Sequence, residues 1–174
     1  MDNNVSFRVH KDELADAAAW VARSLPTKST QPVLRAVVIT ADDNGLEFAG
    51  FDYEVSTRVR IGAEVNDPGR VAVAGKLLAD IVGTMPNDAI EVSTDSKVMT
   101  LKARSSRFEL PLIALDDYPQ LPHLPEVTGR ISPAALTGAV TQVASAAGRD
   151  DTLPMLTGIH LEIDGENVTL TATD

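Results

Sequence analysis

The sequence contains an internal repeat at a fixed offset of 122 positions, which aligns residues 8–52 with residues 130–174 without a gap. Ten of these 45 positions are identical, whereas chance at this composition gives about three. The identical pairs include Arg8/Arg130, Thr30/Thr152, Pro32/Pro154, Leu34/Leu156 and Asp52/Asp174. A duplicated domain explains the similarity, and convergence on a shared strand–helix–hairpin pattern is the alternative. Because the second copy has only 45 residues, we expect a truncated piece of a longer multi-domain protein.

Composition restricts the class of protein further. The 174 residues carry a net charge of −10, and 44% are hydrophobic and 23% charged. These values are typical of a soluble globular protein and exclude a disordered, collagen-like or coiled-coil chain. The absence of cysteine excludes a disulfide framework and a Cys-ligated zinc site. Polar residues interrupt the uncharged stretch 132–148, and the N-terminus lacks the pattern of a signal peptide. We therefore expect a cytoplasmic protein without a membrane span.

Hydrophobic periodicity predicts an α+β fold in which each copy packs two helices on an antiparallel sheet. Helices are predicted over 11–25 and 76–85, each ended by a proline. Asn44 and Gly45 predict a hairpin turn because both residue types tolerate positive φ. In the second copy, Ser132 is predicted to cap a helix that Gly148 ends. The predicted strands cover 5–9, 33–42, 46–50, 53–61, 71–74, 90–93, 98–103 and 108–113.

Three prolines in residues 116–125 predict an extended linker between the copies. The predicted organisation is a first domain over 1–122, a linker over 123–129 and the start of a second domain over 130–174.

No motif in the sequence predicts catalysis. His10, His123 and His160 have no spacing that would place two of them on one helical face for a metal. No phosphate-binding loop or nucleophile elbow is present. We expect a non-catalytic protein without a cofactor or metal.

Basic residues are informative through their positions. Many acidic residues lie in predicted turns, whereas Lys11, Arg23, Lys28, Lys76 and Arg149 lie on helices or on the loops that end them. If the helices share one side of the sheet, that side is neutral to basic and suits sequence-independent contact with phosphates. Ordinary surface charge is the alternative interpretation.

Seven segments, in order along the chain, resemble one known family: QPVL at 31–34, GFDYEV at 50–55, GKLLADI at 75–81, SRF at 106–108, DYP at 117–119, GRDDTLPMLTG at 148–158 and ATD at 172–174. The chain is similar to the beta subunit of bacterial DNA polymerase III, the sliding-clamp family. That resemblance implies the DNA-clamp fold, with three similar domains in tandem. Two chains would form a head-to-tail ring dimer around duplex DNA and hold the polymerase on its template.

The resemblance also implies roles for particular residues. Lys28 matches an arginine that touches duplex DNA, and Lys76 matches a basic position on the second helix. Arg149 lies beside the position of a DNA-contacting glutamine, whose direct match is Asp150. In full, the residues implied to bind DNA are Arg23, Lys28, Lys76 and Arg149. Those implied for the dimer interface are Arg107, Phe108, Leu110 and Leu77. The cleft that takes partner peptides is implied to include Leu156 and Thr173.

The implied partners are double-stranded DNA of any sequence, the DNA polymerase III alpha subunit and other polymerases, the clamp loader and a second copy of the chain. Two rival interpretations remain at this point. One is a duplicated β-rich scaffold that binds protein without encircling DNA. The other is an enzyme whose site lies in a further part of the protein.

Overall fold

The computed structural model describes residues 4–28, 31–116 and 118–174. The chain forms two compact units, Met1–His123 and Leu124–Asp174, and each unit has its own helices and strands. No helix within the described ranges is long and apolar enough to cross a membrane.

The first unit contains two α-helices and, among its described residues, nine strands. The helices lie where the sequence predicts them. In chain order the elements are β1 (Ser6–His10), α1 (Lys11–Ser24), β2 (Ala36–Asp42), β3 (Gly45–Phe51), β4 (Ser56–Ile61), β5 (Glu64–Asp67), β6 (Gly69–Ala74), α2 (Gly75–Thr84), β7 (Ala89–Thr94), β8 (Val98–Ala103) and β9 (Ser106–Pro111).

These strands form two antiparallel sheets, one in the order β5-β1-β7-β8-β9 and the other in the order β4-β3-β2-β6. The strand before α1, β1, pairs with β7. The strand before α2, β6, pairs with β2. The first half of the unit (β1 to β5) thus contributes β1 to the sheet that contains β7, β8 and β9, and the second half (β6 to β9) contributes β6 to the sheet that contains β2, β3 and β4. Backbone hydrogen bonds between these strands hold the two halves together.

The main hydrophobic core lies between the sheets and both helices. Phe7 of one sheet and Phe48 of the other are completely or almost completely buried. α1 contributes small side chains, Ala17 and Ala18, which let the helix approach the sheets closely. The remaining helical core residues are Leu14, Val21, Leu78 and Val82.

The segment after β9 covers the outer face of the β4-β3-β2-β6 sheet. The backbone nitrogen of Ile113 donates to the carbonyl oxygen of Ala72 at 2.8 Å. The predicted extended linker therefore begins as a packed segment, because it covers apolar side chains of the sheet. Asp117 lies outside the described residues. The small outer cluster consists of Ile113, Leu115 and Tyr118 over Ala36, Val38 and Ala72.

Two strands of this unit differ from the predictions. The predicted strand over 33–42 starts as a 3-10 turn, Pro32–Arg35, and becomes extended at β2. The short strand β5 was not predicted, because three of its four residues are exposed and give no alternating pattern. The predicted hairpin is confirmed, because β2 and β3 pair antiparallel on either side of the turn, where Gly45 has a positive φ of +104° and Asn44 does not.

The second unit contains α3 (Pro133–Ala144), a 3-10 turn (Pro154–Leu156) and the antiparallel pair β10 (His160–Asp164) and β11 (Asn167–Thr171). Ser132 occupies the N-cap position, but its side chain makes no capping hydrogen bond. The helix is capped at Ser145, so the prediction that Gly148 ends it is wrong. Gly148 instead donates its N–H to the carbonyl oxygen of Leu156 at 2.8 Å.

The elements of the two units coincide under the 122-residue offset. α1 and α3 begin at Lys11 and Pro133, and both 3-10 turns begin at the paired prolines 32 and 154. β3 and β11 begin at Gly45 and Asn167. The shared element starts support duplication.

Candidate nucleic-acid interface and subunit edge

Leu25, the C-cap residue of α1, brings the end of that helix to the start of α2. A β-carbon on Gly75 would overlap Cδ1 of Leu25, and one on Gly50 would lie 2.7 Å from Cδ2. Glycine at both positions lets this leucine fit between β3 and α2. The two helices also pack along each other.

This contact gathers three of the predicted DNA-binding residues at one end of the helix pair. Lys76 directly follows Gly75, while Arg23 and Lys28 lie two and three residues from Leu25. All three basic side chains belong to exposed residues, and none forms an ion pair with a residue that the structure describes. Their positive charges are therefore available to a ligand.

The start of α2 is electrostatically suited to an anion. Its N-cap, Ala74, provides no side-chain hydrogen bond, and its first turn has no acidic residue. Free N–H groups and the helix dipole make this end partially positive. Lys76 in the first turn is unfavourable for the helix itself, because its positive charge lies at the positive end of the helix dipole.

The helix surface differs in charge from the rest of the chain. α1, α2 and residues 25–28 contain four basic and four acidic residues, a net charge of zero, against −10 for the whole chain. The excess negative charge therefore lies elsewhere.

Several of those other carboxylates are held ionised by local hydrogen bonds. A side-chain hydrogen bond from Arg60, 2.7 Å away, lowers the pKa of Asp42. Arg104, also at 2.7 Å, lowers the pKa of Asp88 in the same way. Each of these two acids is paired with an arginine, so the excess negative charge comes from the other acidic residues outside the helices.

Arg149 lies in the second unit, in the loop after α3, where it is exposed. Hydrogen bonds from the side chain and then the backbone of Thr152 lower the pKa of the neighbouring Asp150. With Asp151 also present, this loop has two acids beside one arginine. The loop is thus less suited to phosphate contact than the end of α1.

β9 is an edge strand, because no strand in the described ranges pairs with its other side. The backbone nitrogen of Leu112 donates to the carbonyl oxygen of Lys97 at 2.8 Å, and hydrogen-bonded and non-bonded pairs alternate along an antiparallel ladder. By that alternation, Arg107 and Glu109 direct their backbone polar groups to the free edge, whereas just beyond Pro111 the same side of the chain is bridged to β6 through Leu112 and Val73.

The predicted interface residues therefore divide into two groups. Leu110 is completely buried in the core and can reach a partner only if the unit opens. Phe108 is half-buried and packs against the same core. Arg107 is exposed and pairs with Glu109, and Leu77 lies on α2 with 45% of its surface exposed.

The two predicted cleft residues line different cavities of the second unit. Leu156 lines a cavity of about 500 Å³ with Leu153 and Asp174. Thr173 lines one of about 290 Å³ with Met155. The described residues contain no cluster of side chains that could hold a metal.

Two sequence models of one family match the chain in succession. Residues 5–122 match the N-terminal domain of the DNA polymerase III beta subunit, and residues 130–174 match its central domain. Curated relatives include the beta sliding clamp of Streptomyces coelicolor, 48% identical over 98% of this chain and 45% of its own length. The beta sliding clamp of Micrococcus luteus is 44% identical over 98% of this chain and 55% of its own length.

Solved structures have the same fold. A sliding clamp from Pseudomonas aeruginosa, determined bound to griselimycin, superposes with a TM-score of 0.85 at 28% identity over 98% of this chain and 47% of that chain. The chain therefore spans about half the length of the proteins it matches.

Proposed function

The chain belongs to the DNA polymerase III beta-subunit family, and on that premise we propose that it is the first domain and the opening of the second domain of a DNA sliding clamp. The complete protein closes into a ring as a head-to-tail dimer. Duplex DNA passes through the ring, which keeps the replicative polymerase on its template.

One observation carries this proposal: two successive domains of the same family follow one another in the family's order along a single chain. The coincident element starts under the 122-residue offset support it independently.

The charge distribution is compatible with that function. A closed ring is held on DNA by topology, so it needs only weak contacts with phosphates, and weak contacts allow fast sliding. A neutral helix surface with basic residues at one end supplies such contacts, while the negative charge elsewhere does not prevent binding. Arg23, Lys28 and Lys76 are the DNA-contacting residues of this proposal, and Arg149 is a secondary contact because of its acidic neighbours.

The free edge of β9 is the surface that pairs with the second subunit. Arg107 and Glu109 offer unpaired backbone groups there, and a strand from the partner chain would satisfy them. Phe108 would complete the apolar contact beneath that strand, and Leu77 on α2 would lie at its border.

The protein acts without catalysis of its own, in the cytoplasm. It binds the polymerase III alpha subunit, other polymerases and the clamp loader through a cleft that includes Leu156 and Thr173. Because these residues line separate cavities here, we expect the 174-residue chain to bind such peptides poorly.

Primer extension tests the proposal. The complete protein, its loader and the replicative polymerase are incubated with primed circular single-stranded DNA, and a trap captures polymerase that dissociates. The clamp should lengthen the products of a single binding event. Products of unchanged length, with an active loader, would contradict the function.

A further inference from the structure

Trp20 is the only tryptophan in the chain, and it lies on the solvent side of α1. The buried side of this helix consists of Leu14, Ala17, Ala18, Val21 and Ala22. Trp20 instead has 46% of its surface exposed and belongs to neither hydrophobic cluster. The core does not account for an indole at this position.

The other strongly exposed aromatic residue shows the contrast. Tyr53 lies in the β3–β4 connection, and its ring is 5.4 Å from that of Phe51. Among the described residues, Trp20 makes no ring contact and no hydrogen bond through its side chain. Its indole therefore has both a free face and a free N–H donor.

The surroundings of Trp20 are those of the proposed DNA surface. Helical spacing places Asp16 and Arg23 one turn to either side of it. Because the helix surface as a whole has no net charge, attraction to phosphates is weak there. A contact that does not depend on charge would add to binding without requiring more basic residues.

We propose that Trp20 is a duplex-DNA contact that packs its indole on deoxyribose and donates its N–H to a phosphate oxygen. The inference rests on the proposed clamp function. Every nucleotide carries the same sugar and phosphate, so the contact is independent of sequence and permits sliding. An indole suits this role because it joins a flat apolar body to one polar donor.

Salt dependence distinguishes this contact from a charged one. The complete protein is titrated with a short labelled duplex, which can enter a closed ring from its ends, and anisotropy is measured over a range of salt concentrations. Trp20→Gln should weaken binding about fivefold at every salt concentration, and the slope of log K against log[salt] should not change. Lys28→Ala should instead reduce that slope by about 0.9.

Two further variants control for side-chain loss in general. Trp20→Phe keeps a flat apolar ring and should bind within about twofold of the wild type, and Tyr53→Ala should bind as the wild type does. Wild-type affinity in Trp20→Gln, a changed salt slope in that variant, or an equal loss in Tyr53→Ala would overturn the inference. Normal DNA binding together with lost polymerase binding would assign Trp20 to a protein contact instead.

The inference and the proposed function can fail separately. Suppose that the wild-type ring is retained on nicked circular DNA and that Lys28→Ala alters the salt slope. Wild-type affinity in Trp20→Gln would then refute only the Trp20 contact and would leave the clamp function standing. If the wild-type protein is not retained, the clamp function itself is wrong.

Discussion

Leu25 and Gly75 are in direct contact, although fifty residues separate them, and the fit leaves no space for a β-carbon on the glycine. This contact joins the last residue of the α1 region to the first residue of α2. It thereby sets where Lys76 lies relative to Arg23 and Lys28. The proposed DNA surface depends on this apolar contact beneath it.

Gly75→Ala should therefore destabilise the first unit by about 1–3 kcal/mol, because the added methyl group overlaps Leu25 in a packed core. The variant should also weaken duplex binding by displacing Lys76. Thermal unfolding of the complete protein gives the first quantity and duplex titration the second.

Gly83→Ala is the matched control in the same helix, since a β-carbon there meets nothing within 4 Å. It should stabilise the protein by about 0.5–1 kcal/mol through helix propensity. Equal stability of the Gly75→Ala variant and the wild type would show that the contact does not constrain α2.

Lys76→Ala should reduce affinity for duplex DNA by the same factor whatever the DNA sequence, because phosphates carry no sequence information. Titrations with several duplexes of one length and different sequences measure this. Lys97→Ala, at the exposed β7–β8 turn, is the control and should leave affinity unchanged. A loss confined to particular sequences would indicate contact with base edges instead.

Glu109→Pro should weaken dimerisation of the complete protein without unfolding it. Proline lacks an N–H group, and the N–H of Glu109 points to the free edge of β9 rather than to β8. The Glu109→Ala variant keeps that donor and should dimerise normally. Sedimentation equilibrium gives both dimer constants, and identical constants for the two variants would exclude the β9 edge as the interface.

Asp95→Asn should flatten the acid dependence of stability. Backbone N–H groups of Lys97 and Val98 donate to the Asp95 carboxylate at 2.7 and 2.8 Å, and they lower its pKa in the folded protein below the ordinary value of 3.8. The contribution of the ionised Asp95 to the free energy of unfolding is therefore complete above the ordinary pKa, and it is lost as the pH falls through the lower pKa of the folded state. The difference in Tm between the wild type and Asp95→Asn should shrink below about pH 4. A difference in Tm that does not change with pH would contradict a stabilising role for the ionised Asp95 carboxylate.

Much of the fold could be predicted because its signals are local. The alternating residues of β1, the apolar spacing of α1 and the prolines after both helices predict those elements directly. The duplication predicts that the second unit repeats the helix and the hairpin of the first. That prediction requires only a comparison of the sequence with itself.

What could not be predicted depends on contacts between distant residues. Nothing near Lys76 indicates that Leu25 lies beside Gly75, so the gathering of basic residues emerges only from the structure. Leu110 resembles any strand residue in sequence, and its complete burial follows from its place in the main hydrophobic core.

Topological retention tests the central claim most directly. The complete protein is loaded onto nicked circular DNA by its loader, separated by gel filtration, and examined again after the circle is cut. The clamp account predicts that the protein stays with the circle and is lost on linearisation. Retention that survives cutting would mean ordinary affinity binding, and no retention with an active loader would favour a protein-binding scaffold.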